Sequence, residues 1–421
     1  MAGIVVAGTI VALTACSPPA PGLLKADGVE RISVDGAAYR AELKALRLSA
    51  LKLGAALLSD GGDGSTGNVV SSPGSLLIAL AMLRAGASGG TAAELDGVLK
   101  LPLERRDEAM NALLASLESF DGDPGSVDEK NPPRKPVMHA ANGLFVDKQV
   151  TTGPEYLRTL AGHFGTGVYP VDFRDERTTK PAIDAWVDRN TGGRIKESPA
   201  KYDPSNTFSL LNALYFAAAW RAPFDPDNTS DLPFTKADGE EIIAPTMHNE
   251  LKMKYAEGPD WRGVDLPYAE GFVMRLVLPD AGAAGAGDPT LESEKLAQIA
   301  DAFDAAPLET VQIQLPRWDH KCSFDLRRVL GSLGLPKTLT TTEDFDAIQP
   351  KMMLTQAAQG ANITVAEKGT VAAAVTQING AVSSAQPLPE RTIEFDRPFH
   401  YQVVHSETGL PLFMGKVADP R

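Results

Sequence analysis

The chain has 421 residues, 43% of them hydrophobic, and carries 40 basic against 54 acidic side chains for a formal charge of −14. That balance gives no general attraction to nucleic acid, which needs basic surface to displace counterions. Two cysteines, Cys16 and Cys322, exclude a disulfide-dense scaffold and a Cys-rich zinc cluster. What remains is a soluble globular protein with enough apolar residues for a large core.

Residues 1–15, MAGIVVAGTIVALTA, are uncharged and apolar. They suit the apolar region of a signal peptide and are too short for a membrane span. The Leu13-Thr14-Ala15-Cys16 run resembles a bacterial lipoprotein cleavage box, which would make Cys16 the lipidated N-terminus; a chance Cys after an apolar stretch is the alternative. No Lys or Arg precedes the run, so the basic region is abnormally short or the start lies upstream. The box implies an extracytoplasmic protein, lipid-anchored to the cell membrane or secreted. Its membrane contact would be only through Cys16, and Cys322 would stay single. Pro and Gly in the next stretch read as a tether, giving a signal at 1–15, a tether at 16–36 and one domain over 37–421.

From residue 37 to 58, leucines at helical spacing predict a helix. Ser72-Pro73 then opens a second, with Ser as N-cap and Pro in the first turn. Its body, SLLIALAMLRAGASGG, is apolar nearly all round and should be buried. Turn-rich stretches at 121–136 and 280–289 read as solvent-exposed insertions. Beyond residue 205 strand-type runs dominate, at 208–216, 271–278, 310–315, 393–395 and 399–405. Helices and strands mix without a βαβ rhythm, which argues for an α+β fold.

Enzyme motifs are weak. Gly62 to Gly67 fits GxGxxG, but it follows a helical pattern, where a dinucleotide site needs a strand. Ser198-Pro199-Ala200-Lys201 fits SxxK, without the Ser-Asp-Asn and Lys-Thr-Gly companions. The six histidines include no pair at metal-ligand helix spacing; His400 and His405 read as packing or surface residues. No metal, no cofactor and no enzymatic activity are expected.

The most unusual segment is 365–392, VAEKGTVAAAVTQINGAVSSAQPLPERT. It is too apolar for an ordinary long loop and its side chains are too small for an ordinary core strand. Period two puts Thr370, Ala372, Ala374, Thr376 and Ile378 on one face, with Gln377 and Asn379 on the other. A segment exposed in one state and inserted into a sheet in another fits; an Ala-rich low-complexity loop fits equally well.

Five stretches in order make the chain similar to the serpins, from about residue 37 to 420. They are NVVSSPGSLLIALAMLRAGASGGTAAELDGVL (68–99), IDAWVDRNTGGRI (183–195, with Asp184 where Asn is usual), LNALYFAAAWRAPF (211–224), EKGTVAAAVT (367–376) and FDRPFHYQVVHSETGLPLFMGKVADP (395–420). The resemblance implies a serpin fold of about nine helices and three β-sheets with an exposed reactive loop. It also implies an irreversible suicide inhibitor of serine, or cysteine, proteases that acts as a monomer. The cleaved loop would insert into the main sheet as a new strand, a known case of strand addition and stored strain.

By the same resemblance Glu367, Lys368, Gly369, Thr370, Val371, Ala372, Ala373, Ala374, Val375 and Thr376 form the hinge; from Gly369 on it carries no charge, and no proline, which would block insertion, occurs from 365 to 386. The alternative is a non-inhibitory serpin acting as a binding protein or chaperone. Counting fifteen residues from Gly369 puts the reactive bond at Ser383–Ser384, with Ala381, Val382 and Ala385 as alternatives. These small residues suit elastase- or subtilisin-like proteases and not trypsin-like ones, which need Arg or Lys. Trp220 and Arg317, paired with Glu367, mark the top of the sheet where insertion starts. Ser72, Ser75, Asn212 and Gln359 form a polar cluster beneath it, with Gln359 where a His is common.

Overall fold

A computed structural model describes residues 19–64, 67–101, 103–280, 288–370 and 389–421. Among them are nine α-helices and two large sheets, an α+β arrangement. Cys16, Val371 to Thr376, and Ala381, Val382, Ser383, Ser384 and Ala385 lie outside the described residues.

The first long helix, Arg40–Asp60, ends where Gly61 turns to φ +75° and donates its N–H to Leu57 O at 3.1 Å. Such a left-handed cap favours Gly, which has no Cβ to clash. The second helix, Pro73–Ala85, is capped by Ser72, whose side chain accepts from Ser75 N. It is buried through Leu83, as its all-round apolar sequence requires.

The six-stranded sheet runs in the order Trp318–Asp325, Gln356–Ala366, Gly369–Thr370, Phe208–Ala219, Val137–Asp147, Tyr169–Val171. All twelve residues of Phe208–Ala219 are buried, which explains its nearly unbroken apolar run. Phe208, Leu210, Leu214, Phe216 and Ala218 face the main core. Leu211 and Ala213 face Trp186 and Val187 of the helix Glu176–Asn190, which lies over the opposite face. That helix must yield if the sheet is to expand.

The second sheet has nine strands. The three sheets implied by the resemblance appear as two hydrogen-bonded networks because one 17-residue strand, Glu241–Glu257, joins two of them into the nine-stranded one. Its first part pairs with Ser230–Thr235 and Leu308–Pro316, and its last residues pair with Trp261–Pro267.

Two readings of the sequence change here. Residues 19–35 do not hang free: Leu24 and Val168 exchange backbone bonds at 2.8 and 3.0 Å, and Arg31 grips Asn111 at 2.7 Å. Tether-like composition did not reveal this docking, because its partners lie more than seventy residues away. The 121–136 stretch is also no simple exposed insertion. Pro124, Pro132 and Pro136 are buried, and Val127 packs against Tyr215 and Ala217.

Candidate functional site

The site is a gap in the six-stranded sheet. Its two central strands are paired in parallel only at the bottom, from Gln356↔Ser209 to Gly360↔Ala213. At the top, Gly369 and Thr370 lie between them: Val365 and Ala218 flank Thr370, and Ala366 and Ala219 flank Gly369. Between these pairings, residues 361–364 and 214–217 form no ladder with each other among the described residues. Gly369 and Thr370 therefore hold register positions on both strands.

Gly369 is dictated by this geometry. Its φ is +155°, and a Cβ there would sit 2.1 Å from Ala218 O. Glu367 and Lys368 form the two-residue turn before it. Thr370 is buried, and its hydroxyl meets that of Tyr268, whose phenol burial pushes far above its ordinary pKa. That phenol stays a neutral hydrogen-bonding group at any working pH.

Trp220 roofs the gap. Its indole Nε1 donates to Ala366 O at 2.9 Å and its backbone N–H donates to Lys368 O at 3.0 Å. Glu367 is buried; its carboxylate accepts from Arg317 Nε at 2.5 Å and from Thr229 Oγ1 at 2.8 Å. A nearly buried carboxylate needs such partners, because desolvation without them costs several kcal/mol.

The four polar residues below form one network with a fifth. Gln359 accepts from Ser72 N at 2.8 Å and donates to Ser72 O at 2.9 Å and Asn212 Oδ1 at 2.6 Å. Asn212 donates to Ser75 Oγ at 2.6 Å and Asn142 Oδ1 at 2.5 Å. Gln359 and Asn212 are register partners across the closed part of the gap. The cluster thus ties the helix start at Ser72 to both strands that insertion would separate.

Sequence reasoning missed Tyr268, Thr229 and Asn142. An Asn inside a strand is unusual enough to have signalled Asn142. Tyr268 and Thr229 carry no local mark, since their partners lie more than a hundred residues away. The SxxK motif is a turn: Ser198 Oγ accepts from Ala200 N at 3.2 Å and Ser198 N donates to Asp184 at 2.9 Å.

Among the described residues this arrangement leaves room for a strand. Comparison with known proteins agrees. The family described as Serpin (serine protease inhibitor) matches residues 49–420. An uncharacterized serpin-like protein of Thermococcus kodakarensis is 30% identical over 365 residues, covering 85% of this chain and 82% of that protein. Alpha-1-antitrypsin 1-4 of Mus musculus is 27% identical over 366 residues, 85% of this chain and 84% of that one. The native-state crystal structure of the thermophilic serpin tengpin superposes with a TM-score of 0.78 over 95% of this chain and 100% of that one, at 22% identity. With a family match over most of its length, the chain belongs to the serpins, a family of protease inhibitors and not of enzymes.

Proposed function

We propose that the protein inhibits elastase- or subtilisin-like serine proteases as a suicide substrate cleaved at Ser383–Ser384. The observation that carries this reading is the register of Gly369 and Thr370 between the two central strands. Continued in that register, residues 371–374 enter the unpaired stretch without breaking any ladder. Val375 would be the first to displace an existing pair, Gly360↔Ala213. Thr376 would then arrive between Gln359 and Asn212, a polar residue at the polar cluster.

Insertion through Ser383 carries an acyl-linked protease about 45 Å, from fourteen residues at roughly 3.3 Å each. Small residues around the bond fit shallow pockets, which select by excluding bulk. The test is a denaturing gel after mixing with pancreatic elastase or subtilisin. A complex that survives heat and denaturant is expected. In Thr370→Arg the complex should vanish while cleavage continues, because a charge on the inserting face must be desolvated. Cleavage without any complex in the wild type would favour a non-inhibitory serpin.

The apolar start and Leu13-Thr14-Ala15-Cys16 support export and lipidation at Cys16. Labelling with a fatty acid in a bacterial host, lost in Cys16→Ser, tests this separately.

A further inference from the structure

Residues 127–133 lie across the top of the gap and touch both of its sides. On one side Val127 packs on Tyr215 and Ala217, and Pro133 O accepts from Ala219 N at 2.9 Å, all on the strand Phe208–Ala219. On the other side Glu129 pairs with Arg194 at 3.1 Å. Arg194 in turn donates to Asn362 Oδ1 at 2.6 Å and Thr364 Oγ1 at 2.9 Å on the strand Gln356–Ala366. Lys130 O and Asn131 Oδ1 accept from Lys368 Nζ, each at 3.1 Å, and so hold the hinge turn itself.

We propose that residues 127–133 are a strap over the insertion gap and that the Glu129–Arg194 ion pair is its fastening. The argument is one of distance. Filling the gap with residues 371–374 pushes 361–364 away from 214–217 by up to one strand spacing, about 4.8 Å. Arg194 is anchored to the strand Gln356–Ala366 and residues 127–133 to the strand Phe208–Ala219. A 3.1 Å pair cannot span that added distance, so it must open before the loop can enter. The pair therefore sets the rate of insertion for this chain. Packing alone would need no charge here. The pair is partly open to water, with Glu129 43% and Arg194 16% exposed, so salt should weaken it.

This inference rests on the insertion reading above, and its test needs no protease. An acetylated peptide of residues 370–383, TVAAAVTQINGAVS, is incubated with the whole protein, and its uptake is followed on native gels. Glu129→Gln should take it up about fivefold faster, equivalent to ~1 kcal/mol for a partly exposed pair, and Glu129→Lys faster still. Wild-type uptake should quicken with ionic strength, while Glu129→Gln should not respond. Equal rates and equal salt dependence in all three proteins overturn the strap and leave protease inhibition untouched. Failure of the peptide to enter any of them also overturns it, because a strap must close a gap that opens. Loss of protease trapping with the uptake differences intact would refute the inhibitory function alone.

Discussion

Trp220 and Tyr268 stack with ring centroids 4.4 Å apart and planes 19° from parallel. The pair reaches one side of the gap and the residue within it at once: the indole holds Ala366 O and the phenol holds Thr370. Tyr268→Phe keeps the stack and removes only the hydroxyl. Thr370 Oγ1 is then buried without that partner, which costs about 1–3 kcal/mol. The hinge should leave the sheet in a large fraction of molecules. Faster amide exchange at Gly369 and Thr370, with altered Trp220 emission, is expected. Unchanged exchange would mean that the hydroxyl pair does not hold the hinge.

Much of this site was legible because the chemistry is local in sequence. The small residues after Gly369, the Ser72 cap and the unbroken apolar strand through Trp220 each announce themselves by composition or spacing. What stayed hidden depends on contacts made only by the fold. Residues 121–136 look like a surface loop, since Asp, Gly, Pro and Lys dominate them, and only the tertiary structure sets Lys130 and Asn131 on Lys368. The docking of residues 19–35 was invisible for the same reason. Glu367 and Arg317, fifty residues apart, were paired only through the family resemblance.

Glu367 offers the sharpest test of the sheet top. Its carboxylate is 4% exposed and serves Arg317 and Thr229 together. Glu367→Lys places a second cation beside Arg317 and leaves Thr229 without its acceptor. Breaking a buried pair in this way costs about 3–5 kcal/mol. The strands should part more readily, and a loop from a second molecule can then pair in the gap. Ladders of polymer on native gels after mild heating are expected where the wild type stays monomeric. A variant that stays monomeric would remove Glu367 from the control of opening.

Specificity should follow the side chain before the reactive bond. Ser383→Arg gives trypsin-like enzymes the cation their pocket binds and leaves the described sheet untouched. Covalent complexes should shift from elastase to trypsin, with no change in the midpoint of unfolding. Rapid trapping of trypsin by the wild type would overturn the assignment of the bond.

Acid should destabilise the fold through two histidines of the strand Phe399–His405. Burial pushes His400 and His405 down to about 4 from an ordinary 6.5. His400 Nε2 lies 3.0 Å from Thr290 Oγ1, and His405 packs edge-on and tilted against Phe120 and Phe272. Above pH 6.5 both states leave the rings neutral and stability is complete. As pH falls from 6.5 towards 4 the unfolded chain takes up protons that the folded one refuses. Stability is lost over that window, at about 2 kcal/mol per pH unit for the two together. His139 works the other way. Burial lowers it, but its bonds to Asp121 and Asn190 raise it overall, so its contribution is present in acid and lost as pH rises. Burial also lowers His320, which adds to the acid loss, so with three rings set against one the urea midpoint should drop between neutral pH and the middle of the window. In His405→Phe the drop should shrink, since one proton-refusing ring is gone. A midpoint independent of pH in the wild type would show that neither histidine is held neutral by the fold.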